Sequence, residues 1–397
     1  MKRNTRYLIL IALFTTIALV LLFTLSITSV SVGKVKESRF EPGNIIIMVP
    51  DGMGLSNVVA ARIYKHGLGG APLYFETLEN IGYQRTYSAN SAITDSAAAA
   101  SAWACGEKFN NGEICYHTDG NPYNPSILEL ARDEGKATGL VATYTVTHAT
   151  PAAFGAHVND RNCEKEIARQ YVEITKIDIM LGGGVSIFNS TTSDNCGTSG
   201  NYIQSATQKG YSVVYTNAEM QDTVNNGAQK ILGLFSDSRM VPEDQRAGTT
   251  EPGLAEMTAA ALDILEEDRD GLFLLVEGSQ IDGANHQNNL NYQINETLAF
   301  DDAVKVVLDW IDSNPGRKEN TLLIIVPDHD TGGFAINGPE QMLGAGELVE
   351  AGWTTTHHTG VDTIVWSQGP GSSALGRSID NTDIYQVMVE VFKVQHK

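Results

Sequence analysis

The residues best suited to chemistry in this chain stand where apolar runs end. Asn44-Ile-Ile-Ile-Met-Val-Pro50 runs directly into Asp51. The run 271–276 reaches Glu277, with Asp282 and His286 close behind, and the run 321–327 reaches Asp328 and His329. His357 and His358 lie just before another apolar stretch, 361–367. Short, wholly apolar runs read as strands buried on both faces of a parallel sheet. In open parallel sheets ligands bind beyond the strands' carboxyl ends. Asp51, Glu277 and Asp328 are therefore expected to converge on one edge, although they are far apart in sequence. Crowded carboxylates repel unless a cation sits between them, and a mixed Asp/Glu/His set suits zinc beside a harder ion. Asp282 and His286, four apart, can share one face of a helical turn and grip one ion.

Two other stretches are suited to an anion. Thr94-Asp95-Ser96 precedes the alanine-rich run 97–104, a strong helix former with Gly106 as its stop. Thr94 or Asp95 can cap the first turn, leaving Ser96 at a helix N-terminus, where free amides and the dipole favour negative charge. Taken alone, the stretch is an ordinary capped core helix. The second stretch is His148-Ala-Thr150-Pro, followed by Ala156-His-Val-Asn-Asp-Arg161. An arginine fork can hold two phosphate oxygens at once, although an isolated arginine is more often a surface ion pair. Thr150 is either a hydroxyl ligand to a hard cation or a turn residue. His66, His117 and His396 read as solvated or satisfied side chains, and His157 and His357 as supports rather than ligands.

The elements that must position these groups alternate along the chain. Strands are expected at 137–143, 177–181, 212–215 and 230–235 besides those named above. Helices are expected at 125–135, 164–175, 252–268, 294–313 and 383–394. No internal repeat or long linker interrupts the 397 residues. The pattern predicts an α/β fold: one doubly wound, mostly parallel sheet with helices on both faces. The stretches 189–200 and 332–356 read as loops, the first rich in Ser, Thr, Asn and Gly.

The formal net charge of −20 argues against nucleic-acid binding through a basic surface. Any positive field for an anionic substrate must then be local, from metals or a few placed bases. Lys2, Arg3 and Arg6 precede an apolar run over about residues 7–32, and no acid occurs before Glu37. This is a secretory signal or an uncleaved membrane anchor, so 1–36 is set apart from a catalytic domain at 37–397. Either form puts the rest of the chain outside the cytoplasm. Cys105, Cys115, Cys163 and Cys196 suggest two disulfides in an oxidising compartment. Three pairings are possible; proximity favours Cys105–Cys115, leaving Cys163–Cys196.

Taken together, the motifs resemble those of the alkaline phosphatase family. Pro-Asp51-Gly-Met-Gly, Thr-Asp-Ser96-Ala-Ala, His148-Ala-Thr150-Pro, His-Val-Asn-Asp-Arg161, Val-Glu277-Gly-Ser-Gln-Ile-Asp282, Pro-Asp328-His329 and His358-Thr-Gly-Val-Asp occur in the family's order. The resemblance runs from about residue 44 to the closing helix. It implies hydrolysis of phosphate monoesters through a phosphoserine on Ser96, with Arg161 holding the phosphate. Asp282, His286 and His358 match the ligands of a first zinc, and Asp51, Asp328 and His329 those of a second. Asp51, Thr150 and Glu277 match a third site, usually magnesium. The family also implies small phosphate monoesters as substrates and a possible homodimer.

Two positions depart from the best-known bacterial pattern. His148 stands where those enzymes carry an aspartate, so zinc or cobalt at the third site becomes an alternative to magnesium. Gly283 stands where relatives carry a side chain over the phosphate, which predicts a more open site with weaker product retention. A phosphodiesterase of the same fold is the nearest rival, although diesterase relatives generally lack the Thr150 and Glu277 set. A sulfatase would need a C/S-x-P-x-R setting, which the chain lacks. An inactive metal-binding surface protein would need a damaged nucleophile or ligand, and none is found.

Overall fold

A computed structural model describes residues 43–117, 124–194 and 196–394. The signal or anchor assigned to 1–36, and His396, lie outside the described residues. The strands in chain order are β1 (Asn44–Pro50), β2 (Asn80–Arg85), β3 (Ala137–Thr145), β4 (Ile179–Gly183), β5 (Ser212–Val214), β6 (Ile231–Leu234) and β7 (Leu272–Gly278). They are followed by β8 (Thr321–Ile325), β9 (Asp330–Thr331), β10 (Ala335–Gly338), β11 (Glu350–Gly352), β12 (His358–Thr359), β13 (Thr363–Gln368) and β14 (Ser378–Asp380).

Ten of them form one sheet in the order β14-β2-β13-β8-β1-β7-β3-β4-β6-β5. β13 pairs antiparallel with both β2 and β8, and every other pairing in the sheet is parallel. The apolar strands at its centre have no solvent face: every residue of β1 and of β7 is buried. Successive side chains alternate between the two faces, so the sheet supports two hydrophobic layers. Ile45, Ile47 and Val49 pack with the Ser96–Cys105 helix and its neighbours. Ile46 and Met48 pack with the Leu254–Leu265 and Leu290–Asp312 helices. The doubly wound arrangement expected from the alternation of elements is therefore present.

Local outcomes differ from the expectation at several points. β2 and β14, short strands with exposed positions, form the sheet's far edge and carry too weak an apolar pattern to read from sequence. The helix expected over 164–175 ends at Gln170, and its last turn, Tyr171–Thr175, widens into a π-turn. The supposed loop 332–356 carries the β10–β11 hairpin and buries Phe334, Leu343 and Val349 against Ala60 and Ile63 of the Leu55–His66 helix. Its apolar residues come in short clusters, 334–336, 342–343 and 348–349, separated by glycines and acids, so no helical or strand period marks them.

Parallel register delivers the acids to one edge. Val49 and Ala142 sit opposite Glu277, and Pro50 sits opposite Gly278. Asp51 donates its backbone N–H to Gly278 O at 3.2 Å, and Val326 does the same to Met48 O at 3.0 Å. Asp51, Glu277 and the Asp328-His329 pair thus leave three neighbouring strands at nearly the same height.

Candidate active site

Ser96 opens the Ser96–Cys105 helix, all ten residues of which are buried. Small side chains suit a helix packed on every side, here against the Ala149–Gly155 helix among others. Asp95 is the N-cap: its Oδ1 accepts from Ala98 N at 3.0 Å. Gly106 takes the left-handed C-cap at φ 75°, and a Cβ there would meet Tyr385 at 2.5 Å. Cys105 at the end of the helix is bonded to Cys115, and Cys163 to Cys196, as proximity suggested.

The helix aims Ser96 Oγ at His329 Nε2, 3.3 Å away. The same nitrogen lies 3.0 Å from Asp328 Oδ2 and 3.8 Å from Asp51 Oδ1. The β9–β12 ladder pairs His358 with Thr331 and stacks the His358 ring on His329 at 3.5 Å. His358 Nδ1 meets Thr94 O at 2.9 Å, which leaves Nε2 facing Asp282 Oδ1 at 3.7 Å. His286 lies one helical turn beyond Asp282, with Nε2 3.2 Å from Asp282 Oδ2 and Nδ1 2.6 Å from Thr356 O. Arg161 spreads its fork between Asp95 Oδ2 at 3.0 Å and His148 Nε2 at 3.1 Å.

Ligand atoms gather into three groups, each within 4.8 Å: Asp282, His329 and His358; Asp51, Asp328 and His329; and Asp51, His148 and Glu277. His329 belongs to two groups and Asp51 to two, so the three adjoin. His286 stands beside the first group through Asp282 rather than within it. The groups expected from sequence are thus brought together, with Thr150 buried close to Glu277.

Asp51 Oδ1, His148 Nδ1, Thr150 Oγ1 and Glu277 Oε1 are buried without a hydrogen-bond partner, and Asp328 Oδ2 has none beyond its 3.0 Å ion-pair contact with His329 Nε2. An unsatisfied buried polar group costs about 1–3 kcal/mol, more when charged. Together these atoms would cost an amount comparable to the whole stability of a domain, about 5–15 kcal/mol. Divalent cations would take up these lone pairs, so the donor set fits them in both number and chemistry.

The charges point the same way. Burial raises the Asp51 carboxyl well above its ordinary range, and Asp328, Asp282 and Glu277 push it further. Burial lifts Glu277 to about 7, although the Ser279 hydroxyl, donating to it at 2.8 Å, pulls it partly back. Asp328 is also buried, yet the neighbouring His329 holds it below the usual carboxylate range. Burial, then the Arg161 guanidinium, lower His148 to about 3, so its imidazole is neutral at any working pH. A neutral imidazole whose Nδ1 has no partner is ready to ligate.

The other histidines sort as expected, with one refinement. His157 is a strut, with Nδ1 2.8 Å from Cys115 O and Nε2 3.0 Å from Glu129. His117 stacks on Phe109 and meets Glu107. His357 supports the site through its backbone carbonyl, which accepts from Gly332 N at 2.9 Å, while its side chain is exposed. Sequence reasoning passed over two residues here. Asp95 was read only as a possible cap, but its other oxygen holds Arg161. Thr331 was not singled out, although it follows His329 by two positions and reaches the same cluster. A short polar residue flanking a ligand motif is the only signal either one leaves.

The family profile described as alkaline phosphatase matches residues 43–351. Alkaline phosphatase 3 of Bacillus subtilis is 31% identical over 97% of this chain and 96% of its own length. The alkaline phosphatase of the Antarctic bacterium TAB5 superposes with a TM-score of 0.76 at 30% identity, covering 89% of this chain and 98% of that one. Variants of that enzyme with one histidine replaced by Asp or Glu have been solved with Mg bound in a site called M3.

Proposed function

This chain belongs to the alkaline phosphatase family and is a phosphate monoester hydrolase, and from that premise we propose that it works through a phosphoserine on Ser96. Asp282, His286 and His358 would hold one zinc, and Asp51, Asp328 and His329 a second. Asp51, His148, Thr150 and Glu277 would hold a third cation. The observation that carries this reading is the set of buried donor atoms around Ser96 that lack hydrogen-bond partners.

When bound, such cations supply Lewis-acid charge to the phosphoryl oxygens and lower the pKa of a nearby hydroxyl or water. The chain's own part is positioning. The capped helix holds Ser96 Oγ rigidly at the edge of the cluster, with its first-turn amides facing the substrate's negative charge. Asp95 and His148 fix the Arg161 fork, which can then grip two phosphoryl oxygens while Ser96 attacks the phosphorus. The Ser96 Oγ–phosphorus bond forms as the bond to the alcohol breaks, and attack by water later releases inorganic phosphate. At the third site, His148 would present Nδ1 to the cation while Nε2 accepts from Arg161. An imidazole donor favours zinc or cobalt over magnesium, and the TAB5 variants with Mg in the M3 site carry a carboxylate in place of a histidine.

Disulfides at Cys105–Cys115 and Cys163–Cys196 support an extracytoplasmic location. Export by residues 1–36, or anchorage through 7–32 with 37–397 as the catalytic domain, completes the proposal. No helix among the described residues is long and apolar enough to cross a membrane.

Turnover of p-nitrophenyl phosphate against bis(p-nitrophenyl) phosphate tests the activity. The monoester is expected to be preferred in kcat/KM by at least about a hundredfold, and a diester preference would refute the reading. Gly283 supplies a second test. A Cβ added there meets nothing nearer than Tyr292 Oη at 3.9 Å, so a longer side chain can be accommodated. Gly283→Lys is expected to tighten competitive inhibition by inorganic phosphate about tenfold, the effect of one charge-assisted hydrogen bond. An unchanged inhibition constant would remove Gly283 as the cause of an open site.

A further inference from the structure

Resting on the cation-dependent reading above, we propose that Thr331 is a positioning residue whose single hydroxyl ties the two zinc clusters together. Thr331 lies in β9 and is fully buried. Its Oγ1 stands 2.5 Å from Asp282 Oδ1 and 3.2 Å from His329 Nδ1. Asp282 groups with His358 and His329 on one side, and His329 groups again with Asp51 and Asp328 on the other. One oxygen therefore touches a ligand of each cluster.

The direction of these two hydrogen bonds follows from counting hydrogens. A threonine hydroxyl has one hydrogen to donate, and an ionised carboxylate can only accept. The hydrogen therefore goes to Asp282 Oδ1, and the hydroxyl oxygen accepts from His329 Nδ1–H. That arrangement fixes the His329 tautomer and leaves Nε2 as the ligating nitrogen. Nε2 is the atom that faces Ser96 Oγ at 3.3 Å and Asp328 Oδ2 at 3.0 Å. The backbone of Thr331 repeats the tie. Its N–H donates to Gly52 O at 3.1 Å, beside Asp51, and its partner across the β9–β12 ladder is His358.

Partners of this kind, one bond removed from the metal, are worth about 10–100-fold in metal affinity. The test uses full-length zinc-loaded protein challenged with excess chromogenic chelator, so that the release of each zinc is followed in time. Thr331→Val keeps the shape and removes the hydroxyl, and Thr331→Ala removes it without bulk, in case valine disturbs folding. Both are expected to accelerate both phases of zinc release about 10–100-fold, whereas Thr331→Ser stays within about twofold of wild type. Release at the wild-type rate from either hydroxyl-free variant overturns the inference. So does acceleration of one phase alone, or serine behaving as valine does. A wild-type protein that holds no zinc would instead overturn the cation-dependent reading beneath it.

Discussion

Ser96→Ala is expected to lower kcat for p-nitrophenyl phosphate by at least about 10⁴-fold, the scale on which hydrolases lose rate with their nucleophile. The protein itself should tolerate the change. Position 96 opens a helix already built of alanines, alanine is the strongest helix former, and the Asp95 cap does not involve the Ser96 side chain. The unfolding midpoint should therefore move little while turnover collapses. Rapid-quench labelling with ³²P-substrate at acid pH should trap a labelled wild-type protein and an unlabelled variant. Metal-dependent hydrolysis near the wild-type rate in Ser96→Ala would remove the phosphoserine route.

Stripping the cations should abolish activity and, in the same protein, make stability fall as pH rises. In the metal-free fold, burial and neighbouring carboxylates raise Asp51, and burial raises Glu277 to about 7 from an ordinary 4.5. Such groups bind more protons folded than unfolded, so their contribution is complete below the unfolded pKa and is lost as pH climbs through the folded one. For Glu277 that window runs from 4.5 to about 7. Asp328 and Asp282 carry the opposite sign, because neighbouring histidines outweigh their burial, but their contribution is lost only at more acid pH. His148, lowered by burial to about 3 from 6.5, opposes the fall below pH 6.5, and His286, raised to about 9 by its bond to Asp282, reinforces it above. The metal-free enzyme should thus lose stability as pH rises above about 6.5, where His148 no longer opposes the raised Asp51, Glu277 and His286. Added zinc should restore both stability and turnover above it, because the cation replaces the protons on Asp51 and Glu277. Chelator-treated protein, melted between pH 6.5 and 9 with and without zinc, checks this. A flat profile without metal would mean the carboxylates find other partners.

Much of the site was legible because it hangs on strands with two buried faces. Residues 45–50, and the runs 272–276 and 322–327 before Glu277 and Asp328, had to be apolar throughout to sit at the sheet's centre. Their carboxyl ends therefore announced where Asp51, Glu277 and Asp328 would meet. Ser96 was legible for a related reason, since a helix buried on every side requires alanines. Edge elements left no such mark. In β2 the exposed Ile81 and Tyr83 alternate with the buried Gly82 and Gln84, reversing the usual code for an inner and an outer face. Gly82 is held small because the Leu375 and Arg377 carbonyls approach its backbone, and Gln84 is buried to serve Trp103 and Pro327. Neither requirement exists until the sheet has formed.

By itself, the sequence determined the class of fold, the alternation of its elements and, through the strand ends and family motifs, the candidate site residues. These follow from local composition, because periodicity and the residue at a strand's end are properties of short segments. Tertiary structure alone decided how those residues are shared. His329 faces two clusters, His286 stands to one side of the first, and Asp95 reaches past its own helix to hold Arg161. Thr331 is tied to Asp282, 49 positions earlier in the chain. Such choices are made by strand register and by the direction of single hydrogen bonds, which exist only once distant segments lie side by side.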